Sequence, residues 1–181
     1  MTAKAYCETF AASKDYWNPE FASQAYIIAL GCNDRRSIEL GEIGDVCLED
    51  WKQNKQTFAG YYGQIIQRYK EIRPDAKFFF ITMPRQPESE EISAWRDAHA
   101  ALLYQMAELF GNSYVIDLRK YAPVYDATFK KRFYLGGHMN PCGYIFTAQM
   151  VSSYIDYLVR HNIDDFRQVG FIGTPFLYRN V

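Results

Sequence analysis

Three short apolar runs constrain the fold of this chain most: Ala25-Tyr26-Ile27-Ile28-Ala29-Leu30, Ala76-Lys77-Phe78-Phe79-Phe80-Ile81-Thr82 and Ser113-Tyr114-Val115-Ile116-Asp117-Leu118. Each is nearly continuous in β-branched and aromatic residues and lacks the in–out alternation of a half-exposed strand. Such strands need cover on both faces, as in a parallel sheet flanked by helices. The intervening segments supply that cover. Phe58, Tyr61, Tyr62, Ile65, Ile66, Tyr69 and Ile72 recur at three- and four-residue steps until Pro74 stops the run. Trp95, Leu102, Leu103, Met106, Leu109 and Phe110 form a second stripe. Ser89 is its expected N-cap, Glu90 and Glu91 suit its positive first turn, and Gly111 suits the position after its end. Tyr144, Ile145, Ala148, Val151, Tyr154, Ile155 and Leu158 make a third stripe after Pro141. The residues through Phe10 are expected to be helical as well.

Strands alternating with helices predict an α/β domain: a three-layer α/β/α arrangement of flavodoxin-like type, with a mostly parallel sheet and right-handed crossovers. At 181 residues, one domain spanning 1–181 is expected. The polar, irregular stretch from Arg35 to Asn54 is long for a connection and is a candidate functional loop. The apolar segment Phe171–Phe176 is expected to pack back on the domain.

Charge excludes several partners. Lys+Arg number 20 against Asp+Glu 21, with no basic block, so nucleic acid is not expected as a partner. No apolar run approaches the roughly 18 residues of a membrane span. Cys7, Cys32, Cys47 and Cys142 are dispersed, form no metal or redox motif, and fit reduced thiols in a cytoplasmic protein. The first residues lack the pattern of a signal peptide. No cofactor and no metal are expected.

In open parallel sheets, ligands bind beyond the carboxyl ends of the strands. That rule selects Gly31-Cys32-Asn33-Asp34, then Thr82-Met83-Pro84-Arg85, then Asp117-Leu118-Arg119 with the loop Phe133 to Tyr144. Gly31 permits a tight turn, and Asn33 tolerates a left-handed conformation while offering a side-chain amide donor. The plain reading of this stretch is an Asx-type turn. His138 follows two glycines and precedes Pro141, so a turn presents it just before a helix, where a ring titrating near neutrality can act as general base. His99 lies on an apolar stripe and reads as a packing residue. His161 lies at a helix C-terminus, where positive charge is favoured.

Taken together, a strand ending in Gly-x-Asn-Asp and a turn Gly-His-x-Asn-Pro-x-Gly-Tyr opening the last helix resemble the SGNH (GDSL-type) hydrolases. The resemblance covers roughly Ala25 to Asn162. It implies that Asn33 donates its amide to an oxyanion hole and that His138 takes the proton from a nucleophilic serine. It also implies ester hydrolysis through an acyl-enzyme, with an ester or acetylated carbohydrate as substrate. Gly31, Arg85 and Asn140 are candidate substrate-binding residues.

Two features depart from that family. The family places an Asp three residues before the histidine, where this chain has Leu135; Asp117, Asp126, Asn140 and a backbone carbonyl are the candidate substitutes. The Gly-Asp-Ser nucleophile block is also absent, since none of Ser13, Ser23, Ser37, Ser89, Ser93, Ser113, Ser152 or Ser153 follows Gly-Asp. The chain therefore resembles a C-terminal portion of such a hydrolase, with the serine expected upstream and no esterase activity expected from these residues alone. Ala25–Leu30 would then form an unprotected sheet edge prone to self-association. The alternatives are a cysteine-based hydrolase using Cys32 or Cys142, a flavodoxin-like nucleotide binder, and a non-catalytic module of the same fold. That module would bind carbohydrate or a partner, with Trp17, Trp51 and Tyr134 available for stacking.

Overall fold

The computed structural model describes residues 1–166, so the expected packing of Phe171–Phe176 lies outside the described residues. Its centre is a three-stranded parallel sheet of β1 (Ala25–Ile28), β2 (Lys77–Ile81) and β3 (Ser113–Ile116) in the order β1-β2-β3. Ala25 pairs with Lys77 and Ile28 with Phe80, while Phe78 pairs with Ser113 and Ile81 with Ile116. All three runs expected to be strands are strands. Each ends a residue or two early, because the residues beyond turn into the loops at the carboxyl edge.

The connecting helices follow their stripes. Helix α3 (Phe58–Ile72) starts where the Thr57 side chain accepts from Gly60 N–H, and α4 (Glu90–Phe110) starts where Ser89 accepts from Ile92 N–H. An N-terminal segment precedes them, with α1 (Ala3–Ala5) and α2 (Ala11–Ser13) joined through a π-helical stretch, Tyr6–Phe10. Tyr26, Ile28, Phe78, Phe80 and Val115 share a core with α3 and with Leu102, Leu103 and Met106 of α4. Crossovers stepping the same way across the sheet put both helices on that face. Phe79, Ile116 and Tyr114 point the other way, toward Val151, Tyr154, Ile155 and Leu158 of α7 (Pro141–His161). Burial of each large apolar side chain contributes about 1.5–3 kcal/mol, so the aromatic run Phe78–Phe80 holds both layers to the sheet.

Between β3 and α7 the structure holds more than the expected loop. Two short helices, α5 (Leu118–Tyr121) and α6 (Ala127–Phe133), are capped by Asp117 and Asp126. A hairpin of β4 (Tyr134–Leu135) and β5 (His138–Met139) follows. These elements span too few residues to display a period. The Arg35–Asn54 stretch is fastened rather than loose. Asp45 is buried there, pairs with Lys55 at 2.7 Å and accepts from the Thr57 hydroxyl and the Glu42 N–H. No helix among the described residues is long and apolar enough to cross a membrane.

Candidate functional site

The turn beyond β1 is built around Gly31, whose φ of +122° no side-chain-bearing residue adopts without strain. His99 lies against it from α4, with Nε2 3.1 Å from the Leu30 carbonyl oxygen. A carbonyl only accepts, so Nε2 carries the proton and Nδ1 is a bare acceptor, buried without a partner among the described residues. Burial holds this imidazole down to about 4, reinforced by the nearby Arg96 charge and opposed by the Leu30 bond. His99 is therefore a packing residue, as its stripe predicts, but only one of its nitrogens is satisfied.

Asp34, not Asn33, makes the side-chain bonds that shape the turn. Its carboxylate accepts from Gly31 N–H at 3.1 Å and from Ala3 N–H at 2.7 Å, tying the β1 loop to α1. Burial raises its pKa against the lowering effect of those bonds. Asn33 has right-handed backbone angles (φ −89°, ψ −19°), so the left-handed residue of this turn is Gly31. The exposed Asn33 amide donates to the Met1 carbonyl at 3.3 Å.

His138 is exposed on β5, and its ring has no hydrogen-bond partner among the described residues. Gly136, at φ +64°, makes the tight turn of its hairpin, which pairs Leu135 directly with His138. The position where a carboxylate would serve the histidine is thus its cross-strand neighbour, and Leu135 is 79% exposed there. The candidate substitutes are committed elsewhere. Asp117 accepts from Thr82, Tyr104 and the Lys120 N–H, and Asp126 caps α6. Asn140, expected to touch substrate, instead caps α7 through Gly143 N–H and donates to the Arg132 carbonyl.

The hairpin is joined to the carboxyl edge of the sheet. Tyr125 donates its N–H to the Arg85 carbonyl beyond β2 and packs edge-on against Tyr134. Burial raises the Tyr134 pKa. The Arg85 side chain is exposed and within reach of the Asp97 charge.

Below these loops lies a polar cluster the sequence did not announce. Arg119 is buried and donates to Asp97 (2.6 Å), Glu88 (3.3 Å) and both oxygens of Ser93, while its N–H bonds the Thr82 hydroxyl. Arg96 pairs with the second oxygen of Glu88 at 2.8 Å. The cluster stiffens the start of α4 and the ends of β2 and β3.

Other candidates find different places. Cys142 opens α7 as expected but is exposed, like Cys32. Trp17 and Trp51 enclose the Arg68 guanidinium, at 4.1 and 4.8 Å from their ring centres, which occupies a face of each that was expected to be free for stacking. The described residues contain no cluster of metal-ligating side chains.

The fold and these loops define an α/β protein whose candidate site lies at the carboxyl edge of a parallel sheet. No family model and no curated protein matches the chain. A solved crystal structure is similar, with a TM-score of 0.51 at 18% identity over 90% of this chain and 71% of that one. Identity at that level carries the fold and says nothing of chemistry.

Proposed function

We propose that this chain carries part of the acyl-transfer site of an SGNH-type ester hydrolase acting on a small ester or acetylated carbohydrate. In this reading His138 is the general base and Asn33 an oxyanion donor. The observation behind it is that the Gly31–Asp34 turn follows β1 at the carboxyl edge of the sheet, and the hairpin carrying His138 is tied to that same edge through Tyr125, which packs on Tyr134 and donates its N–H to the Arg85 carbonyl beyond β2. An exposed imidazole and an exposed amide at one edge of a parallel sheet suit a reaction that needs both a base and a preorganised donor. Neither group is held by a strong internal partner.

The reading requires a serine beside His138. Several described serine hydroxyls serve local bonds: Ser13 and Ser113 bond neighbouring carbonyls, Ser37 bonds those of Asn33 and Asp34, Ser89 caps α4, and Ser93 binds Arg119. Because none of these serines follows a Gly-Asp pair, the proposal assigns the nucleophile to a segment other than residues 1–166, and these residues alone are expected not to turn over p-nitrophenyl acetate. The test is an NMR titration with acetate, the product of deacetylation. The Asn33 side-chain amide and the His138 ring should shift along one binding curve, and Asn33→Ala should weaken the response at His138. Two independent curves, or none, defeat the proposal.

A non-catalytic binding module is the second reading. Leu135 favours it, because an orienting carboxylate is worth about 10⁴-fold in a serine–histidine–aspartate site. Binding of an acetylated saccharide that is indifferent to His138→Ala would select it.

A further inference from the structure

The first strand ends the sheet with its outer edge open. Lys77 donates its N–H to the Gln24 carbonyl, and the register of β1 with β2 then turns the polar groups of Tyr26 and Ile28 toward β2. In a parallel ladder this leaves the N–H and C=O of Ala25, Ile27 and, one step on, Ala29 pointing away from the sheet. None of these groups has a partner among the described residues. The edge also lacks the usual guards, because residues 21–30 contain no charged residue and no proline. Ile27 is 55% exposed. Beside it runs an apolar groove of about 310 Å³, bordered by Met1, Tyr6 and Phe10 together with Tyr26 and Tyr69.

We propose that two copies of this chain join edge to edge, β1 antiparallel to β1 about a two-fold axis at Ile27, to form one six-stranded sheet. The pattern of free groups matches itself under that operation. Ile27 faces Ile27 of the other copy, and Ala25 faces Ala29. Antiparallel strands exchange both bonds at every second pair, so every outward N–H and C=O of these three residues is satisfied.

Charge selects the antiparallel arrangement and a second copy as the occupant. Glu20 precedes β1, and Arg35 and Arg36 follow it; none of the three is in an ion pair among the described residues. Antiparallel pairing sets the acidic end of one copy beside the basic end of the other, whereas parallel pairing would align like with like.

The experiment is sedimentation of the wild-type chain and of two exposed-site variants, Ile27→Lys and Ile27→Glu, with circular dichroism to confirm that each is folded. The wild type should run at twice the monomer mass. Each variant should run as a monomer, because like charges then face each other across the axis. Mixing the two variants should restore the doubled mass, a rescue that only a self-facing position 27 explains. A monomeric wild type, a variant that still dimerises, or a mixture that stays monomeric overturns the proposal. If the wild type is monomeric and an added uncharged, extended peptide shifts the Ala25–Ala29 amides, the edge belongs to a foreign strand.

Discussion

His99 lies so close beneath Gly31 that a methyl group on the glycine would meet the imidazole Nε2 at 2.3 Å. The turn that presents Asn33 is therefore fitted to a ring from α4, a helix that begins after β2. Gly31→Ala adds a clash to a backbone angle alanine does not tolerate. We expect a loss of about 2–4 kcal/mol, read as a lower urea midpoint with unchanged slope. Amide shifts should concentrate in residues 29–34.

The same histidine gives stability a pH dependence. Unfolded, its ring titrates near 6.5; folded, it is held down to about 4 by burial. Between these values the unfolded chain binds a proton that the native state refuses. The stabilisation is complete above 6.5 and is lost as pH falls toward 4, amounting to about 3 kcal/mol over that window. His99→Gln should flatten this part of the pH profile of the urea midpoint relative to wild type.

Arg119 joins α4 to the start of α5, binding Asp97, Ser93 and one oxygen of Glu88, whose other oxygen keeps Arg96. Arg119→Met should cost about 1–3 kcal/mol, the loss of several charge-assisted hydrogen bonds in a largely buried cluster. Arg119→Lys should recover only part of this, because one ammonium cannot reproduce a fork that spans Glu88, Asp97 and Ser93. Thermal melts of the two variants against wild type measure the difference.

Leu135 and His138 face each other across a two-residue turn. A carboxylate at the first position lies within reach of the second and can accept from its ring. Leu135→Asp should shift the His138 ring protons by a small amount that shrinks with added salt, because solvent screens an exposed pair. NMR spectra of wild type and variant at low and high salt read it. No change would mean the hairpin does not hold the two side chains together.

Much of the architecture was legible before any coordinates. Runs of apolar residues too continuous for a half-exposed strand, separated by stripes at helical spacing, specify a covered parallel sheet and its helices. Ser89 and Gly111 mark the ends of α4 because capping is chemistry between near neighbours in the chain. The candidate site was legible only as residue types. Asn140, directly before Pro141, carries the local signature of a helix cap, which its assignment as a substrate ligand passed over. No pattern reveals that Trp17 and Trp51 close on Arg68.

Hydrophobic period and local capping, properties of short stretches of chain, thus determined which elements form and roughly where they begin and end. The tertiary structure decided the rest: that Asp34 binds Ala3 and Gly31, that His99 fills the space under the β1 turn, that Arg119 gathers Glu88, Asp97 and Ser93, and that β1 lies open at the edge. These facts depend on groups far apart in sequence meeting in a dry interior. There each polar atom must find a partner or remain unpaired, and only the folded arrangement determines which.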